Sequence, residues 1–189
     1  MDKTRKSYIY AGLAIFFWST IPTAFKLCLR ELSVLPMLTI ASVTATLALL
    51  VILISEKKTG LLKLNSPVDF TNSALLGLLN PFLYYLVLLH AYQILPAQVA
   101  QPLNMIWPII LVFLSVPILK QKIKGRSFIA LFISFIGVYI ISSQGNLFKP
   151  HHADLKGVLL ATGSSLFWAL FFVLNVRDKR DEAVKLFLN

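Results

Sequence analysis

Six apolar runs constrain this chain more than any other feature. They lie at about residues 8–29, 35–55, 71–93, 97–119, 127–143 and 156–176. A helix needs roughly 20 predominantly apolar residues to cross the hydrocarbon core of a bilayer. Inside lipid no water satisfies backbone N–H and C=O groups, so each run must bond internally as a helix. A membrane barrel would instead show weak alternation over about ten residues. The fifth run, SFIALFISFIGVYIISS, is the shortest and carries no charge. The reading is an all-α integral membrane protein with six transmembrane helices.

Composition points the same way. The 189 residues are 57% apolar and 14% charged, with a mean hydropathy of +0.76. Soluble domains average about 25% charged residues. The net charge of +10 would suit a nucleic-acid binder if the chain were soluble. Here the basic residues fall between apolar runs, so they report topology, and the expected partner is the lipid bilayer rather than nucleic acid. Lys3, Arg5 and Lys6, then Lys57, Lys58 and Lys63, then Lys120, Lys122, Lys124 and Arg126, then Arg177, Lys179, Arg180 and Lys185 all fall on one side. Arg30, Lys149 and Lys156 fall on the other, and Lys26 lies within the first span. The positive-inside rule then puts both termini in the cytoplasm of a multi-pass inner (plasma) membrane protein. The basic start followed by an apolar run resembles a signal peptide, but no small-residue cleavage site follows, so the first helix is read as uncleaved.

Several chemistries are unsupported. The single cysteine, Cys28, excludes an internal disulfide and a Cys-based metal cage. His151-His152-x-Asp154 has no evident further ligand and reads as an ordinary loop, so neither a metal nor a cofactor is expected. All eight acids lie in tails, in loops or at span ends. No span therefore offers a carboxylate for a proton or sodium relay, or the paired acids or nucleophile with base that an enzyme needs.

The polar residues inside the spans carry the remaining information. In AQVAQPLNMIWPIILVFLSVPIL (97–119), Gln98, Gln101, Asn104 or Met105, and Pro108 recur at steps of three and four, which is one helical face. One reading is interhelical glue, worth roughly 0.6–2 kcal/mol per amide bond. The other is a face lining a wet cavity. Pro102 and Pro108 each remove a backbone donor and free carbonyls one turn earlier, near residues 98 and 104, which favours the cavity. Trp107 would supply a flat wall beside it. The first span holds Trp18, Ser19, Thr20, Pro22 and Thr23, a second polar patch interrupted by proline. In the third, Asn80 and Tyr84, with Tyr85 as a further candidate, are expected to face inward together, with a proline kink and a satisfied Asn as the alternative. The sixth carries Ser164 and Trp168 one turn apart. Lys26 either snorkels to the interface or serves as a cation for a solute carboxylate. His90, ending the third span, reads as interfacial.

A weak internal repeat follows from an offset of 150. Ala11/Ala161, Phe17/Phe167 and Trp18/Trp168 coincide. A unit of five spans, repeated, must invert because five is odd. Residues 1–145 would then form one five-helix repeat. Residues 146–189 would supply a linker, the first helix of the next repeat and a cytoplasmic tail.

These residues carry a family likeness. The FWST…K pattern (Phe17 to Lys26), HAYQILPAQVAQPLNMIWPIILVFLS (His90 to Ser115) and GRSFIALFISFIGVYIIS (Gly125 to Ser142) together resemble the drug/metabolite transporter (DMT) superfamily, of the EamA type. The likeness covers essentially the whole chain. It implies a ten-helix transporter of two inverted five-helix repeats around a central cavity, of which this chain resembles the first repeat plus the first helix of the second. Trp18-Ser19-Thr20 with Asn104-x-x-Trp107-Pro108 also resembles the branch that exports aromatic and related amino acids. The implied function is transport of small-molecule solutes, with export of amino acids by alternating access. About four helices of the family pattern are absent, so a second half or second copy would complete it. The alternative is a non-transporting membrane subunit or fragment that needs a partner half. The expected cavity-lining residues are Trp18, Thr20, Lys26, Asn80, Tyr84, Gln98, Gln101, Asn104, Trp107, Ser164 and Trp168.

Overall fold

The computed structural model describes residues 3–62, 67–143 and 154–189. Lys63, Lys149, His151 and His152 of the sequence reading lie outside them. Among the described residues, all regular structure is helical. The first two spans are the unbroken helices α1 (Lys3–Glu31) and α2 (Val34–Ser55). The hydroxyls of Thr39, Thr44, Thr46 and Ser55 donate to the carbonyls of Leu35, Ile40, Ser42 and Val51 at 2.8–2.9 Å. Bonding to the preceding turn removes the cost of carrying hydroxyls in an apolar helix.

Prolines act unequally. Pro22 leaves α1 continuous. The third span divides into α3 (Pro67–Gly77), a loosened turn over Leu78–Leu83 and α4 (Tyr84–Ile94). At the kink Asn80 takes extended backbone angles (φ −148°, ψ 119°) before Pro81, which has no N–H to continue the ladder. The fourth span divides into α5 (Ala97–Asn104) and α6 (Trp107–Leu119). The break falls one turn before Pro108. Met105 still donates to the Gln101 carbonyl at 3.0 Å, but Ile106 shifts to Leu103 at 3.4 Å. The opening expected near residue 104 is therefore present. Pro102 produces none near residue 98, because α5 runs through it. Helices α7 (Gly125–Ser142), α8 (Leu155–Asn175) and α9 (Glu182–Leu188) complete the chain.

Among the described residues, five helical stretches are long and apolar enough to cross a membrane: Thr4–Glu31, Val34–Ser55, Pro67–Ile94, Ala97–Leu119 and Leu155–Asn175. The fifth expected span falls on the shorter apolar helix Gly125–Ile140. The protein is thus an all-α membrane protein.

Helix α8 stands among α4, α5 and α6 and touches all three. Its buried positions are largely small: Gly157, Ala161, Ser164, Ser165 and Ala169. In lipid, where apolar side chains gain nothing by leaving solvent, small residues let backbones approach and gain van der Waals contact. The approach is closest at Gly157, where an added Cβ would lie 2.6 Å from Leu95 Cγ. Around this axis Tyr84, Leu88, Ala91, Tyr92, Leu95, Val99 and Ala100 of α4 and α5 close the core with Ala161.

The two ends of the bundle differ. At one end Lys26 donates to the Tyr92 carbonyl. At the other, Arg177 donates to the Ile118 carbonyl, Arg180 to Ser73 Oγ at 2.8 Å, and Lys58 pairs with Asp181 at 2.7 Å. The segment assigned from sequence to a tail forms α9 at this second end, packed on α2 and α3. Asp181 caps it, accepting from the N–H groups of Ala183 (3.0 Å) and Val184 (3.4 Å). Lys185 is 1% exposed. Its ammonium donates to the Asp178 carbonyl at 3.1 Å and the Glu182 carboxylate at 2.8 Å, just past the C-terminus of α8. A buried ammonium is tolerated there because its donors are used and a helix C-terminus favours positive charge. The Arg180 guanidinium, hydrogen-bonded to Asp178, holds that carboxyl below its ordinary range. The Lys58 hydrogen bond does the same for Asp181, while Asp181 and then Glu56 raise the Lys58 ammonium.

Candidate functional site: an aromatic cavity above a buried amide bridge

A small cavity of about 70 Å³ lies where α1, α4, the α5–α6 break and α8 meet. Trp18, Ile21, Phe25, Tyr84, Tyr85, Leu88, Gln101, Met105, Trp107 and Trp168 line it. Five of the expected site residues thus share one wall: Trp18, Tyr84, Gln101, Trp107 and Trp168. The two tryptophans matched at the 150-residue offset, Trp18 and Trp168, both face this space.

Trp168 organises the rings. It lies 4.4 Å from Tyr84, 6.4 Å from Trp107 and 5.2 Å from Phe172, centroid to centroid. Trp107 stacks on Phe172 at 5.4 Å with the planes 13° apart. Offset and edge contacts of this kind contribute about 0.5–1.5 kcal/mol each beyond burial. The break at Met105–Ile106 lets Gln101, from α5, and Trp107, from α6, reach the same space.

Next to the rings lies a bridge of polar side chains. The Tyr84 hydroxyl donates to Asn104 Oδ1 at 3.1 Å, and Asn104 Nδ2 donates to Ser164 Oγ at 2.9 Å. Ser164 in turn donates to the Ala161 carbonyl at 2.7 Å. Asn104 is 1% exposed and Ser164 is fully buried. Both therefore join α4, α5 and α8 rather than line the cavity, and for Asn104 the glue reading describes its position. The physical reason is that an amide in a low dielectric is stable only with its groups paired. A second contact, the Tyr92 hydroxyl donating to Gln101 Oε1, ties α4 to α5 beside the cavity.

The remaining expected residues lie elsewhere. Thr20 is exposed and its hydroxyl donates to the Phe17 carbonyl at 2.7 Å; Ser19 does the same to Phe16. Asn80 sits at the α3–α4 kink, its buried Oδ1 without a partner. Lys26 and Gln98 line a separate groove at the Lys26 end. His90 bonds the Leu86 carbonyl of its own helix at 2.7 Å. The sequence reading passed over Phe25, Leu88 and Tyr92. Their spacing contained the signal: Trp18, Ile21 and Phe25 follow one face of α1, and Tyr84, Leu88 and Tyr92 one face of α4.

A protein-family comparison agrees with this architecture. The EamA-like transporter family model matches residues 5–143. An uncharacterized transporter of Archaeoglobus fulgidus is 25% identical over 166 residues, covering 88% of this chain and 56% of the relative. An uncharacterized transporter of Clostridium kluyveri is 26% identical over 175 residues, covering 90% and 56%. The chain spans about half the length of these curated relatives. No solved structure matches it significantly. With a family match over most of its length, the chain belongs to the EamA-like transporter family, within the drug/metabolite transporter superfamily.

Proposed function

We propose that the chain exports amino acids or related small solutes by alternating access, with the aromatic cavity as its solute site. The carrying observation is the convergence of Trp18, Tyr84, Gln101, Trp107 and Trp168 on one space between four helices. Flat rings match an apolar or aromatic side chain, and the Gln101 amide supplies a polar group that fixes orientation. At about 70 Å³ the cavity is far smaller than the roughly 300–1,000 Å³ of ordinary ligand pockets. A solute enters only if helices move apart, which rocking of one repeat against another supplies.

On this proposal residues 1–145 form one repeat and 146–189 open the next. The Lys58 end faces the cytoplasm of the inner membrane, with both termini there. A second half or second copy completes the cavity. That need is supported by α1, whose membrane-crossing window has no buried residue and exposes Ser19, Thr20 and Thr23 at mid-span. The same observation favours a second reading, a membrane subunit that moves nothing without its partner.

The test is efflux from vesicles containing the purified chain and loaded with radiolabelled amino acids. Efflux above that of protein-free vesicles is expected. Gln101→Ala and Trp107→Ala should each slow it at least severalfold while insertion and folding persist. Unchanged efflux in both variants would remove the cavity from the route. No efflux from a folded chain would leave the subunit reading.

A further inference from the structure

We propose that the groove at the Lys26 end is a subsite for an anionic group, so that the carried solute is one bearing a carboxylate or a similar anion. The proposal rests on the transport reading and deepens it by placing the solute's anionic group at this groove. The groove is open, has a volume of about 650 Å³ and is lined by Lys26 and Arg30 together with Thr23, Tyr92, Gln93 and Gln98 among others. No carboxylate is among its lining residues. Lys26 and Arg30 stand one turn apart on α1, about 5–6 Å between Cβ atoms, where like charges repel. Neither forms an ion pair among the described residues. A bound anion relieves that repulsion.

Helix position accounts for Arg30, since the last turn of α1 favours a cation. It does not account for Lys26, one turn deeper. Its ammonium is held at the groove by the Tyr92 carbonyl and keeps two further N–H donors. Gln93 and Gln98 offer amide donors beside it. Tyr92 also joins the groove to the central cavity, because its hydroxyl donates to Gln101, which lines that cavity. The aromatic cavity alone would also accept an organic cation by attraction to the ring faces. Two fixed positive charges at the groove oppose that choice and favour an anion.

A lipid headgroup phosphate offers the same chemistry, and the experiment separates the two sources. The full chain carrying Cys28→Ser and Thr23→Cys is reacted with thiol reagents that bear a sulfonate or a trimethylammonium group. In phosphate-free maltoside micelles the sulfonate reagent should be preferred about tenfold relative to a free thiol, from two unit charges roughly 6–7 Å away after salt screening. Lys26→Gln with Arg30→Gln should abolish that preference, and sodium benzoate, not tetramethylammonium chloride, should protect the thiol. A preference no different from free thiol, or one that survives the double substitution, overturns the subsite. Preference and protection that are present in micelles but lost in phosphatidylglycerol nanodiscs assign the groove to headgroups and overturn it as a solute subsite. Labelling requires no transport. A chain that labels as expected yet moves no solute refutes the transport reading and leaves the anion subsite standing.

Discussion

Asn104→Ala tests the buried bridge most directly. The substitution removes two interhelical hydrogen bonds, from Tyr84 Oη at 3.1 Å and to Ser164 Oγ at 2.9 Å. Such bonds average about 0.6 kcal/mol in membranes, up to about 1.7, so the pair contributes about 1–3 kcal/mol. The consequences for the two partners differ. Ser164 keeps its bond to the Ala161 carbonyl. The Tyr84 hydroxyl, on a side chain 6% exposed, loses its acceptor, and an orphaned buried donor costs about 1–3 kcal/mol. The expected destabilisation is about 2–4 kcal/mol, most of it residing in Tyr84. Tyr84→Phe breaks one of the two bonds, leaving Asn104 Oδ1 without its donor but the Ser164 bond intact, and should cost less than Asn104→Ala. The double variant should be more stable than the sum of the two losses predicts, by roughly 1 kcal/mol or more. Reversible unfolding in mixed micelles, followed by tryptophan fluorescence, measures all four corners of the cycle. If Asn104→Ala lies within about 0.5 kcal/mol of the parent, or if the two losses simply add, the bridge does not hold α4, α5 and α8 together.

Two further perturbations probe the packing around the site. Gly157→Val should destabilise the fold by about 1–3 kcal/mol, since its Cβ would fall 2.6 Å from Leu95 Cγ and α8 would have to move off α4, lowering the melting temperature in detergent. Acidification should loosen α9: the carboxyls of Asp178 and Asp181 titrate below their ordinary range in the folded chain, so their stabilisation is complete above about pH 4 and is lost as pH falls through the depressed values. The protection of α9 amides, taken relative to their intrinsic exchange rate at each pH, should fall below that pH and hold constant between pH 5 and 7; protection unchanged down to pH 3 would show that these pairs do not anchor it.

Much of the architecture follows from the order of residues alone. Apolar runs without charge can satisfy their backbones in lipid only as helices, so the spans were readable without any tertiary information. The break before Trp107 was readable too, because Pro108 cannot donate to the carbonyl one turn back. Local chemistry did not distinguish Pro108 from Pro102 or Pro22, which share that defect yet sit in unbroken helices. Whether a missing bond opens a helix depends on what surrounds the freed carbonyl, and that is set by packing. The same holds for the polar residues. Helical spacing placed Gln98, Gln101 and Asn104 on one face, but a face is wide and three helices compete for it. Close approach through the small residues of α8 buries Asn104 between Tyr84 and Ser164, while Gln101 lines the cavity and Gln98 the groove at the Lys26 end. The sequence by itself determined which groups lipid would not tolerate unpaired. Only the tertiary structure decided which of them are buried between helices and which line a cavity or groove, because that depends on distances between segments far apart in the chain.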